Sequence, residues 1–203
     1  MFDNASLEYT ALVLSIASCL RYCYKTICGP TRPSRASYWI WSLVGILMLL
    51  SFEKSGGSTL LLQITFAVNP IIISLVLIKY GTPGFGFVDK VCLGLTALSA
   101  GLWGVLILLF GNTEAVALPI FLLIMLTDFF GGVQTFRKAW SDPRSEDAVA
   151  WLLVFVACLF SAAAATRWDV TDMVMNIYII LSIGWITGCA WIRPAYVPLP
   201  SHL

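Results

Sequence analysis

The feature that most constrains this chain is a succession of long apolar runs, each near the length of a membrane-crossing helix and each ended by a short polar break. Seven runs can be bounded, at 7–27, 37–53, 59–79, 90–110, 115–136, 147–165 and 171–192. Crossing about 30 Å of hydrocarbon takes roughly 20 helical residues. In lipid only helices and closed barrels satisfy their own backbone, so all seven are expected to be helices. The breaks carry turn chemistry: Gly29-Pro30, Arg32-Pro33, Gly56-Gly57, Pro83-Gly84, Gly111-Asn112 and Asp142-Pro143. Composition agrees. The 203 residues are 59% hydrophobic and 11% charged, against about 25% charged in soluble domains. A water-soluble fold of this size could not hide so much apolar surface.

The expectation is therefore an all-α membrane protein with seven transmembrane helices. Residues 1–8 carry Asp3 and Glu8 and no Lys or Arg, unlike the positively charged start of a signal peptide, so the first helix is expected to stay in the mature protein. An outside N-terminus sorts the basic residues sharply. One side receives Arg21, Lys25, Arg32, Arg35, Lys79, Lys90, Arg137, Lys138, Arg144 and Arg193, the other only Lys54 and Arg167. The positive-inside rule places the larger set, and with it the C-terminus, in the cytoplasm.

The chain also repeats itself. PSRASYWIWSLVGILMLLS from Pro33 and PRSEDAVAWLLVFVACLFS from Pro143 align without gaps, matching Pro33, Trp41 and Ser51 with Pro143, Trp151 and Ser161. Each copy follows a basic helix end, Arg21 and Lys25 in one, Arg137 and Lys138 in the other. Proline and tryptophan at one separation, at one point of the topology, suggest two copies of a three-helix unit. Three crossings reverse the chain's side, so a second copy in the same orientation needs one more crossing between them. The expected division is a bundle over 1–82, a linker helix over 83–112 and a second bundle over 113–203. Parallel repeats of this kind are related by an axis along the membrane normal and hold a site at their interface.

This 3+1+3 parallel-repeat arrangement resembles the SWEET, SemiSWEET and PQ-loop transporter superfamily. Val133-Gln134-Thr135-Phe136-Arg137-Lys138 is similar to the PQ-loop signature with valine for proline, while Leu20-Arg21-Tyr22 holds the approximate first-copy position with neither signature residue. SRASYWIW and TDFFGGVQTFRKAWSDPRSED also resemble uncharacterised bacterial seven-helix proteins of that superfamily. The resemblance implies a multi-pass protein of a bacterial cytoplasmic membrane that moves a small polar solute, such as a sugar, by alternating access. Other members imply other readings: vitamin uptake as in the nicotinamide riboside carriers, or a non-transporting sorting receptor as in the KDEL receptors. Relatives rock about helix prolines. Helices one, two, five and six here read as free of interior proline, which leaves Gly131-Gly132, Gly101 with Gly104, and Pro70 as points of bending.

Asp128 is the one ionisable residue well inside a run, so it is expected to face the bundle interior. It serves either as a solute acceptor or proton-coupling site, or as a carboxyl bonded to Thr127, Gln134 or another helix. Asn69, ahead of Pro70, matches the helix-three asparagine with which SWEET-like proteins bind sugar, and Asn176 is its expected counterpart, though nearer the outer end. Plain interhelical hydrogen bonding is the alternative for both. Trp41 and Trp151 either stack on a ring-shaped solute or pack the bundle, and Trp185 is a pocket-wall candidate. Trp39, Trp140, Trp168 and Trp191 belong to an interfacial belt. Gln134 completes the candidate polar set. Ser145 is expected to cap helix six, with Glu146 and Asp147 in its first turn, and Arg137 and Lys138 could form a gate with these carboxylates.

Other chemistries find no support. The six cysteines lack zinc spacing and mostly lie in apolar runs. The single histidine, His202, is next to last. No phosphate loop or catalytic triad pattern occurs, and the basic residues are spread as topology requires, not as nucleic-acid contacts. The expectation is no enzyme and no cofactor. The partners are a small solute and membrane lipid, with a homo-oligomer allowed and nucleic acid excluded.

Overall fold

A computed structural model describes residues 3–84 and 86–192; Arg193 and His202 lie outside the described residues. Those residues form seven α-helices and no strand: α1 Asn4–Ile27, α2 Arg35–Lys54, α3 Leu60–Tyr80, α4 Phe87–Phe110, α5 Glu114–Ser141, α6 Ala148–Ala164 and α7 Val170–Ile192. Five of them, α2, α3, α4, α5 and α7, are long and apolar enough to cross a membrane, which marks an integral membrane protein. Of the others, α6 is apolar with 17 residues, and α1, with 24, carries Glu8, Arg21 and Lys25.

The helix starts are set by short polar side chains that take up otherwise unpaired N–H groups. Asp3 accepts from Ser6 N at 2.8 Å, Ser34 from Ser37 N at 3.4 Å, and Asp147 from Ala150 N at 2.7 Å. This corrects the expected cap of α6. Ser145 ends a single 3-10 turn, Pro143–Ser145, because Pro143 starts that turn and moves the helix start to Asp147. The expectation for α5 is also corrected, since Pro119 lies inside it. It falls in the second turn, where a missing N–H costs one bond, and the helix continues through Gly131-Gly132 to Ser141.

In the packing, α3 lies between α1 and α2, and α7 between α5 and α6. These two rows face each other through α1 against α6 and α2 against α5, while α4 rests on α5 and more lightly on α2. Small hydroxyls let helices approach and pair across them, as expected where water cannot compete. Ser15 and Thr65 are 2.7 Å apart, Ser42 and Ser74 3.1 Å. Val44, Phe52, Leu77, Ala117, Phe121, Ala157 and Cys158 are fully buried, whereas much of α4, from Leu98 to Phe110, faces outward.

One contact depends on a missing side chain. Pro70 has no N–H to give the Phe66 carbonyl one turn earlier, and α2 comes against that carbonyl at Gly45. A Cβ there would sit 2.6 Å from Phe66 O and 3.1 Å from Ala67 Cα. Backbone on both sides cannot yield as a side chain would. Gly45→Ala is therefore expected to destabilise the bundle by about 1–3 kcal/mol, read as earlier thermal unfolding in detergent. Gly101→Ala, where a Cβ meets nothing within 4 Å, is expected to leave the transition unchanged or raise it.

Candidate functional site

A cavity of about 160 Å³ lies between the two rows, walled by α1, α2, α3, α5, α6 and α7 and by no described residue of α4. Its surface is chiefly aromatic and aliphatic, with Ser18, Asn69, Asp128, Tyr178 and Ser182 as its polar points alongside the tyrosines of the first row. Of the residues singled out from the sequence, Asn69, Asp128, Trp41 and Trp151 all line it.

Each is held by a neighbour. Asp128 accepts a 2.5 Å bond from the Tyr178 hydroxyl of α7, so the carboxylate is partnered across helices and not by Thr127 or Gln134. The Asn69 amide donates to Ser15 O at 3.2 Å and Ser15 Oγ at 3.1 Å. A carbonyl can only accept, which orients the amide. Trp41 meets Tyr38 edge to face at 5.1 Å, and Trp151 meets Tyr22 likewise at 6.1 Å. Both tyrosines are buried in the wall.

The other three candidates lie elsewhere. Gln134 donates to Asp89 Oδ1 at 3.0 Å; the same carboxylate accepts from Gly86 N at 2.7 Å, so Gln134 ties α5 to the start of α4. It is six residues beyond Asp128, which turns it about 120° away around the helix. On α7 the cavity face is Met175, Tyr178, Ile179, Ser182, Ile183 and Ile186, a helical spacing that Asn176 and Trp185 fall between. Asn176 is buried and donates to Asp172 O at 2.9 Å. Trp185 is 50% exposed and stacks on Trp140 at 5.5 Å.

The repeat spacing reappears in this wall. With Trp41 and Trp151 paired, the offset is 110 residues. Ser18, Tyr22, Trp41, Asn69 and Ile73 then correspond to Asp128, Gly132, Trp151, Ile179 and Ile183, and all ten line the cavity. The position matching Asn69 is thus Ile179, not Asn176.

Two sets of bonds join the rows, one at each end of the bundle. At the basic end, buried Glu146 accepts from Tyr22 Oη at 2.8 Å, Trp151 Nε1 at 3.0 Å and Lys138 Nζ at 3.0 Å, and Lys138 also donates to Arg32 O. Asp147 takes Arg21 Nε at 2.7 Å and Nη2 at 3.2 Å, and Arg32 N reaches Ser145 O at 3.1 Å. At the opposite end, fully buried Asp172 accepts from Ser58 N at 2.9 Å and Ser58 Oγ at 2.5 Å. Thr171 Oγ1 donates to Ser55 O at 3.0 Å beside it. Of the expected gate residues, Lys138 thus joins a carboxylate and Arg137 does not.

Tyr22, Tyr38, Tyr178 and Asp172 were not singled out from the sequence. The helical spacing of Tyr178 with Met175 and Ser182 is the signal that would have found the cavity face of α7. No protein-family model matches the chain, and no curated protein or solved structure matches it either.

Removing the Glu146 side chain leaves three donors facing one another. Glu146→Ala is expected to cost about 3–5 kcal/mol, as for breaking a buried ion pair from one side. Arg21→Gln, at a pair whose arginine is 36% exposed, should cost about 1 kcal/mol or less. Unfolding in mixed micelles distinguishes the two.

Proposed function

We propose that this protein is a membrane transporter of a small polar solute with an apolar ring face, such as a sugar, working by alternating access between two three-helix units. The units are α1–α3 and α5–α7, joined by α4 and related by an axis along the membrane normal. All seven helices cross the bilayer, with the N-terminus outside and the basic end in the cytoplasm. The observation that carries this reading is one cavity walled by both rows, with bonds that run between the rows at each end of the bundle. A rocking of the rows that separates one set of bonds opens the cavity to that side while the other set holds.

In this reading Asn69 and Asp128 supply the polar contacts on facing rows, Tyr178 orients the carboxylate, and Trp41 and Trp151 take the ring face of the solute. The prevalence of aromatic wall over polar groups also favours a solute carrying a planar heterocycle, as a nucleoside-type vitamin would.

Uptake of labelled sugars and nucleosides into proteoliposomes, with and without a proton gradient, tests the proposal. Saturable uptake is expected, and Asp128→Asn should weaken it on the order of tenfold or more, the share of a charged hydrogen bond. Binding without uptake would favour a receptor, and normal transport by Asp128→Asn would remove the carboxylate from the mechanism. The orientation has its own probe. Cys28, at the basic end, is exposed and the other five cysteines are buried, so a membrane-impermeant maleimide should label intact cells only after permeabilisation. Labelling before it would reverse the topology.

A further inference from the structure

A second hollow, of about 570 Å³, lies on the flank of the bundle between α5 and α7 and opens sideways. Its size falls within the roughly 300–1,000 Å³ typical of ligand sites. Phe129, Phe136 and Leu181 make its apolar walls, and the stacked rings of Trp140 and Trp185, 13° from parallel, line it towards the basic end. Arg137 stands in the same lining. Arg137 is an exposed residue with no hydrogen-bond or ion-pair partner among the described residues, in contrast to Lys138 beside it, which is held by Glu146. No carboxylate lines the groove among the described residues.

We propose that this groove binds one phospholipid with an anionic headgroup, its phosphate on Arg137 and an acyl chain against Phe129 and Leu181. The charge is complementary, and the groove lies where a lipid has both parts. Arg137 is one turn from the end of α5, at headgroup depth, and the apolar walls run from there towards mid-membrane. Stacked tryptophans at that level match the amphipathic boundary, and basic pockets between membrane helices take such headgroups. Phe136 and Ser182 line both this groove and the central cavity, so the lipid would be seated one residue away from the cavity. The inference does not depend on transport.

The test uses the full chain purified in detergent, with phosphatidylglycerol or phosphatidylcholine added, read by native mass spectrometry and by thermal unfolding. Phosphatidylglycerol should be retained and should raise the unfolding temperature; phosphatidylcholine should do neither. Arg137→Gln should weaken retention about fivefold, the share of one basic residue at an anionic surface, with the lipid-free transition unchanged. Lys90→Gln, at an exposed lysine on α4, should retain lipid as the parent does. Equal retention of the two lipids, or full retention by Arg137→Gln, overturns the proposal, and so does displacement of the lipid by millimolar inorganic phosphate. If Arg137→Gln lowers the lipid-free transition, Trp185→Ala reads the same groove from its other wall, and unchanged retention there is equally decisive against it.

Discussion

A carboxylate that leaves water must be met by donors, and this bundle depends on how it meets three of them. Glu146, Asp172 and Asp128 lie at the basic end, at the opposite end and in the cavity between. Each is partnered by a residue of another segment: Glu146 by Tyr22 of α1, Asp172 by Ser58 of the loop before α3, and Asp128 by Tyr178 of α7. The first two bonds join the rows and so decide how the helices stand around the cavity. The third stays within the second row and leaves the carboxylate on the wall. Placing such groups in a low-dielectric interior is costly unless donors converge on them. The positions of Tyr22, Trp151, Lys138 and Ser58 are therefore as constrained as those of the acids they serve.

The two sets of bonds between the rows differ in kind. At the basic end they are made of ions: lysine and arginine against two carboxylates, with a tyrosine and a tryptophan adding neutral donors to Glu146. At the opposite end one buried carboxylate is met by a serine backbone and hydroxyl, with no cation among the bonds that reach it from the loop. Separating ions towards the headgroup region allows water and lipid phosphate to replace each lost partner. Separating Asp172 from Ser58 costs more unless water enters with it. The bonds at the basic end are thus the ones that solvent can more readily share.

The helices were legible because lipid allows the backbone so little choice. The observed elements start and stop within a few residues of the apolar runs, except that α5 continues to Ser141 beyond the expected 136. Its last turn carries Arg137, Lys138 and Trp140, residues that end an apolar run without ending a helix. The same limitation explains the α6 cap. Ser145, Glu146 and Asp147 are all plausible first-turn residues, and only the 3-10 turn begun at Pro143 decides among them. Hydropathy reads where a helix lies in lipid, and caps depend on bond geometry outside it.

The site was legible to the extent that depth in a run implies burial. Asn69, Asp128, Trp41 and Trp151 share a cavity, while Gln134, Asn176 and Trp185 lie off its face. Depth is a coordinate along the helix; facing is a rotation about it, and every residue of an apolar membrane helix has an apolar neighbour on each side to blur that rotation. The constant offset of 110 residues supplies the missing angle. It carries Trp41 to Trp151 and Asn69 to Ile179, and so would have removed Asn176 as the counterpart of Asn69 before any coordinates were known. The same offset sets Ser18 against Asp128 and Tyr22 against Gly132. One row thus keeps hydroxyls where the other has an acid and a gap. It also sets Gly45 against Phe155, whose ring lies 3.1 Å from where Gly184 would carry a Cβ. In the first row Gly45 thus meets the backbone of α3, whereas in the second row a phenylalanine ring fills the space beside Gly184. Two rows with matching positions and unequal side chains thus line a cavity whose polar groups stand on different helices in each row.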